Sequence, residues 1–339
     1  MHSITLIIPG LLPPPAAVTE TDLPDCKTLN RWLARSDRRS CQSDYYRLLF
    51  DCFGIKPATD ADYPIAPLAY YAETGADPGY CMRADPVHLS PGREGLILVD
   101  DSLIGIQADE AEVLAGDLRP WIGELGAELH TPNPARWYLA FPEPPCIQTV
   151  PLSDVTGRDI SSHLPTGSEQ TRWRQFFNEL QMVLHESAVN REREKRGRHT
   201  VNSLWFWGGG ALPLAGHAPF DSCFSDDPFV RGLALLHDTS AASLPDSAEE
   251  LLRQVGDADA VLVTDERLRQ HQAYDNAAVW LGYLEALERD WMRPLDQAIW
   301  HGKLRQLNII TGGERFVCRR GQRWRFWRRE GLGRVPRRS

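Results

Sequence analysis

The side chains suited to catalysis are dispersed along this sequence. Two adjacent carboxylate pairs, Asp100-Asp101 and Asp226-Asp227, are of the type that does acid–base work or holds a hard cation. Each lies in loop-forming sequence, where solvated acids are the ordinary reading. His185, His199, His217 and His237 show no paired ligand spacing, so surface or core histidines are expected. Ser203 precedes the run Gly208-Gly209-Gly210, but not in the G-x-S-x-G order of a nucleophile elbow. The same glycines lack the lysine of a phosphate-cradling loop and the G-x-G-x-x-G spacing of a dinucleotide site. Cys26, Cys41, Cys52, Cys81, Cys146, Cys223 and Cys318 are odd in number and form no C-x-x-C pair. That pattern argues against zinc or a disulfide framework, and for reduced thiols in a cytoplasmic protein.

Arginine gathers at one end, as Arg315, Arg319, Arg320, Arg323, Arg325, Arg328, Arg329, Arg334, Arg337 and Arg338. Net charge over all 339 residues is nevertheless −9, so the remainder is distinctly acidic. Arginines interleaved with Trp324, Phe326 and Trp327 suit an anionic partner, nucleic acid included. Docking on the chain's own acidic body is the other use open to them.

Whatever chemistry the chain performs must be positioned by alternating strands and helices. Ile4 to Ile8, rich in β-branched residues, and Leu96 to Val99, Trp137 to Phe141, Ala260 to Thr264 and Leu307 to Thr311 are short, largely apolar runs that read as strands. Helical spacing marks Cys26–Arg35, Tyr45–Phe53, Ala108–Leu125 with Trp121 on its buried face, Ser168 (as cap) to Asn190, Asp226–Leu236, and Ala277–Trp300 bent at Pro294. Arg191 to His199 reads as a solvated charged helix end, and Phe316 to Trp327 as a short hairpin. Residues from about Thr59 to Pro91, rich in proline and glycine, suggest a domain boundary. No apolar stretch reaches 18 residues, so no membrane span is expected. The alternation argues for a mostly parallel α/β sheet. Asn202 to Gly210 reads as a buried strand running into a glycine loop, where glycine allows positive φ or close approach of another segment.

Taken in order, these segments resemble the archaeal-type cofactor-independent phosphoglycerate mutases of the alkaline phosphatase superfamily. Val201-Asn202, Trp205, Trp207, Gly208 and Gly210 stand in that family's AN-x-x-W-x-WG-x-G pattern. Asn190-Arg191 lies just upstream, and Thr149, Pro151, Asp154 and Gly157 follow a T-x-PHDI-x-G pattern with Ser153 in place of histidine. Arg83 to Val87 sits where the family has R-x-NFV, and Arg136 opens a strand as a substrate-domain arginine does. The resemblance implies an alkaline phosphatase-like domain of residues 1–68 and 201–339, with a smaller α+β substrate-type domain, 69–200, inserted. It implies ligand-binding positions at Arg83, Arg136, Asp154 and Asn202. Arginine suits bidentate capture of a small phosphorylated or carboxylated ligand.

Family enzymes use two divalent metals, such as manganese, magnesium or zinc, to move a phosphoryl group between glycerate hydroxyls through a serine. Here Pro9-Gly10 stands for the first ligand pair DG, and Tyr63-Pro64-Ile65-Ala66 for the nucleophile segment SD-x-A. Thr264, Arg269 and Ala273 occupy the spacing of H-x-x-x-x-D-x-x-x-H, with Asp265 and His271 nearby, and Gly312-Gly313 replaces DH. The expectation is therefore a phosphoglycerate mutase-like protein without catalysis or metal cofactor, acting by binding in a regulatory role. The alternative is an active mutase, or a related metal-dependent phosphoryl-transfer enzyme, with a rearranged site.

Overall fold

The structure is a computed structural model and describes residues 1–56, 61–93, 95–256, 258–272, 276–328 and 331–332. Thr59, Ala273, Arg329, Arg334, Arg337 and Arg338, together with the side chain of His271, lie outside the described set. The strands are β1 (Ser3–Ile7), β2 (Asp37–Ser40), β3 (Tyr80–Pro91), β4 (Leu96–Val99), β5 (Glu128–Asn133), β6 (Arg136–Phe141), β7 (Ser203–Gly210), β8 (Ser222–Phe224), β9 (Ser240–Ala242), β10 (Ala260–Thr264), β11 (Gln306–Thr311) and β12 (Glu314–Arg319). Contacts divide the chain into two units, Met1–Lys56 with Ala215–Ser339, and Pro57–Leu214.

The first unit is built on a sheet of order β2-β12-β11-β1-β10-β8-β9. β1 lies between β10 and β11 and runs parallel to both, while β12 and β2 are antiparallel. A strand paired on both edges and covered on both faces must be apolar throughout, which is why β1 and β10 read so plainly as strands. Ile4, Leu6 and Ile8 enter a core with Trp32 of helix Lys27–Arg35 and with Trp280, Leu284, Leu295 and Ile299. Helix Pro228–Leu236 packs against β8 and β9, and its Phe229 meets Tyr46 and Phe50 of helix Tyr45–Cys52 edge to face at 5.4 Å each.

The long helix expected to bend at Pro294 instead carries a wide turn, Leu287–Met292, between helices Ala277–Ala286 and Arg293–Trp300. Pro294 falls in the first turn after it, where a missing N–H costs nothing. The inserted residue turns the second segment so that Leu295 and Ile299 stay on the core side with Trp280 and Leu284. The wide turn also aims Glu288 at the start of helix Lys27–Arg35, where its two oxygens accept from Thr28 N and Leu29 N at 3.0 Å. The terminal hairpin is β11–β12, earlier than expected, and Arg320–Trp324 forms a 3-10 turn.

The second unit is an antiparallel sheet of order β4-β3-β6-β5, with β7 also paired to β3. Its centre falls in the stretch that composition suggested was a boundary. β3 is 12 residues long and helix Ile65–Thr74 precedes it. Pro86 is accommodated because residues 84–87 of β3 pair on one side alone, with β7. β7, expected as the return to the first unit, belongs here, so the divisions fall after Lys56 and Leu214 rather than at 68 and 200.

The glycine run is part of that strand. A Cβ on Gly210 would stand 2.6 Å from Pro64 Cβ, and one on Gly209 would stand 2.6 Å from the Tyr80 hydroxyl. Gly208 has φ +67° and Ile65 Cβ within 3.1 Å of the Cβ it lacks. The glycines let the start of helix Ile65–Thr74 lie directly on the strand.

Three further expectations are corrected. Trp121 is 39% exposed, since Ala111, Leu114, Leu118 and Ile122 complete the buried stripe of helix Ala108–Glu124 without it. Residues 168–190 are not one helix: Gln170–Glu186 ends at Ser187 and Ala188–Lys195 follows. Within that second helix Arg193 is 1% exposed, against a sequence reading of solvated charge. Its guanidinium pairs with Glu110 and donates to the carbonyls of Ile104 and His199. All seven cysteines are free thiols, and among the described residues no helix is long and apolar enough to cross a membrane.

Candidate functional site

In the second unit, Arg83 and Asp85 are two apart on β3 and therefore share one face of the sheet. Arg83 Nε and Nη2 both donate to Asp85 Oδ1, at 2.9 and 2.7 Å, and Trp207 Nε1 donates to Oδ2 at 2.7 Å. The guanidinium also stacks over Tyr138 and Trp207, 5.3 and 5.2 Å from the ring centres. Burial opposes the charge on Arg83, and Asp85 beside it more than offsets that. Burial raises the Asp85 carboxyl, with Arg83 and Trp207 pulling it back down. Glu73 extends the network, taking Arg136 Nε on Oε1 and the Tyr138 hydroxyl on Oε2, both at 2.6 Å.

Arg83 and Arg136 are thus joined through Tyr138 and Glu73. Arg83 is spent on a buried fork, whereas the Arg136 side chain keeps 30% exposure. The other two expected positions make different contacts. Asp154 is exposed on the short helix Leu152–Val155 and accepts from Ser153 Oγ at 3.2 Å. Asn202 clamps the β3 backbone, its Oδ1 accepting from Leu89 N at 2.7 Å and its Nδ2 donating to Leu89 O at 2.9 Å.

In the first unit, β10, β1 and β11 are neighbours and parallel, so their carboxyl ends lie side by side. The crevice at the carboxyl ends of such strands is where open α/β sheets hold ligands. After β1 comes Ile8-Pro9-Gly10, with Gly10 at φ 88° and its carbonyl accepting from Trp280 Nε1 at 3.2 Å. After β11 comes Gly312, at φ +57°, where an added Cβ would meet Leu12 O at 2.7 Å. After β10 come two adjacent acids. Asp265 is gripped by Arg267, whose Nε and Nη2 reach its two oxygens at 2.9 and 2.6 Å, and its Oδ2 also accepts the Tyr283 hydroxyl at 2.7 Å.

Glu266 accepts the Tyr45 hydroxyl at 2.5 Å and lies 3.4 Å from Ser225 Oγ, which in turn accepts from Thr264 Oγ1 at 2.7 Å. Burial, reinforced by Asp227, pushes the Glu266 carboxyl up to about 7. Arg269 lies 4.4 Å over the rings of both Tyr45 and Tyr46. Asp227 accepts from Phe229 N at 2.9 Å and so caps helix Pro228–Leu236, which makes it more than a solvated loop acid. Among the described residues, no three His, Cys, Asp or Glu side chains converge as a shared metal requires.

Sequence reasoning passed over Glu266, Ser225 and Tyr45. The usable signal was an Asp-Glu pair directly after a buried run, at the carboxyl end of a parallel strand. Together they form a buried carboxyl, its pKa raised chiefly by burial, bonded to two hydroxyls, with arginines over the neighbouring aromatic rings.

No family model matches the chain. A probable 2,3-bisphosphoglycerate-independent phosphoglycerate mutase of Geobacter sulfurreducens is 30% identical over 133 residues, 39% of this chain and 33% of that protein. The 2,3-bisphosphoglycerate-independent phosphoglycerate mutase of Methanosarcina mazei is 30% identical over 165 residues, 43% of this chain and 39% of its own length. The matches therefore span about a third of the length of these curated relatives. In fold, the chain resembles the PH0037 protein of Pyrococcus horikoshii, with a TM-score of 0.53 at 14% identity over 97% of this chain and 90% of that one. By sequence, about two fifths of the chain is similar to 2,3-bisphosphoglycerate-independent phosphoglycerate mutases.

Proposed function

We propose that this phosphoglycerate mutase-like protein binds a small phosphorylated or carboxylated ligand without isomerising 2- and 3-phosphoglycerate, and that its role is regulatory. Gly312 is the observation that carries this reading. Where the resemblance asks for metal ligands after the last parallel strand, the backbone has positive φ and Leu12 O occupies the space of a Cβ. No side chain, least of all a ligating acid, fits there without moving the chain. Pro9 offers no donor after β1, and Asp265 is already neutralised by the Arg267 fork.

A centre for two divalent cations needs several uncommitted carboxylates and imidazoles, and this donor set does not fit one. On the binding side, Arg136 is the residue on which the reading turns, held at its Nε by Glu73 and partly open to solvent. A second reading, a single cation in a rearranged site, would draw on Asp227 and Glu266, whose segments meet at Ser225 Oγ.

The experiment is metal analysis of the purified protein, with phosphoglycerate turnover assayed in added manganese, magnesium and zinc, beside a thermal-shift screen with phosphoglycerates. The binding reading expects no metal-dependent turnover, and a ligand-induced shift that Arg136→Met abolishes. Turnover that follows bound metal would overturn it in favour of the rearranged enzyme.

A further inference from the structure

The basic segment from Arg320 to Arg328 is anchored by its polar side chains and bare at its aromatic ones. Arg325 pairs with Asp37 at 2.5 Å and donates to Arg35 O at 3.2 Å, and Arg328 donates to Ser36 O at 3.2 Å. Gln322 also bonds Asp37, and Arg323 pairs with Asp296 at 3.5 Å. The segment therefore docks on its own unit, as one of the two sequence-based uses required. That docking leaves three large rings in water, with Trp324 67%, Phe326 68% and Trp327 67% exposed. Trp300 is 38% exposed and has the guanidinium carbons of Arg320 and Arg323 over its ring, 4.9 and 4.8 Å from the centre. An unconstrained tail would turn such rings inward, so a fixed segment that shows them outward is a surface with something to cover it.

We infer that this face binds single-stranded nucleic acid. Residues 315–339 hold ten arginines and one glutamate, a net +9, so the rest of a chain of net −9 carries −18. An anion is repelled by that remainder and drawn to this end. The acids nearest the platform, Asp37 and Asp296, are already paired with its arginines. Exposed rings that follow two exposed arginines, Arg319 and Arg320, suit a strand that offers flat bases and phosphates together. A membrane surface fits less well, because interfacial anchors present an apolar stripe along an amphipathic helix. Residues 320–324 make a single 3-10 turn, and no helix among the described residues follows it.

The test is fluorescence anisotropy of a labelled 20-nucleotide oligo-dT with the full chain. Four phosphate contacts predict roughly 50-fold weaker binding at 200 mM than at 50 mM salt. The variant W324A/F326A/W327A should weaken binding at least about tenfold with the salt slope unchanged, since each stacked base contributes independently of charge. Circular dichroism of that variant checks its fold. Arg319→Gln with Arg320→Gln should instead lower the salt slope, and it tests the inference even if the aromatic variant misfolds. The inference is overturned by no binding at 50 mM salt, by binding that both variants leave unchanged, or by capture on phosphatidylserine vesicles without oligo-dT binding. Each result stands apart from the mutase assay.

Discussion

Replacing Glu266 with glutamine should make the protein more stable at alkaline pH and leave it almost unchanged near pH 4. The reason is the proton that folding adds. Unfolded, this carboxyl titrates near 4.5; folded, burial and the neighbouring Asp227 carry it up to about 7. Between those values the folded state holds a proton that the unfolded state has released, so stability falls as pH rises through the interval. Above pH 7 the charge stays in place and the loss is complete, about 3 kcal/mol for a rise of this size. Glutamine keeps an oxygen for the Tyr45 hydroxyl and carries no charge, so the variant escapes the loss. The assay is urea unfolding of wild type and E266Q at half-unit steps from pH 4 to pH 8.5. Their difference should grow from near zero to about 3 kcal/mol, with most of the change between pH 4.5 and 7. A difference independent of pH would refute the reasoning, as would one that grows toward acid.

Gly210→Ala should cost about 1–3 kcal/mol, because the new methyl meets the rigid Pro64 ring at 2.6 Å. Gly116→Ala, in open space inside helix Ala108–Glu124, should stabilise by about 0.5–1 kcal/mol; denaturant midpoints of the two variants check the contrast. Asp85→Ala strands the Arg83 guanidinium in the core of the second unit and should cost about 3–5 kcal/mol, whereas Arg83→Met with Asp85→Leu should recover much of that in the same unfolding assay. Arg267→Ala should leave Asp265 uncompensated and raise the melting temperature's response to manganese above that of the wild type, as read by thermal shift.

The parallel strands were legible because burial on both faces demands unbroken apolar runs, as in Ile4 to Ile8 and Ala260 to Thr264. β3 was not, because it carries a charged pair and a proline in its middle. Arg83 and Asp85 satisfy one another and Pro86 is met on one side alone, neither of which local composition reveals. Gly208 to Gly210 looked like a loop for a related reason: the segment they make room for, Pro64 and Ile65, is more than 140 residues away in sequence. Arg193 was misread because its partners, Glu110 and Ile104, lie on another helix and the turn before it. Of the four expected ligand positions, the pair on strands was brought into one network, while Asp154 and Asn202 depended on motif order alone. The Glu266 cluster draws on Tyr45, 221 residues away, and Ser225, 41 residues away, so no window of sequence contains it.

The position of β1 between β10 and β11 also sets a timetable. Ser3 pairs with Ala260 and with Gln306, so the central strand of the first unit has no partner on one edge until β10 has been made, and none on the other until β11 has. At ordinary rates of synthesis the wait is roughly 15–50 s for β10 alone. The second unit, Pro57–Leu214, is continuous and can close its sheet while the first is still open. During that interval Ile4 to Ile8 is an apolar strand still without its neighbours in the sheet, the kind of segment that holding chaperones recognise. The yield of folded protein should therefore respond to translation speed and chaperone supply more through residues 4–8 than through anything at the candidate site.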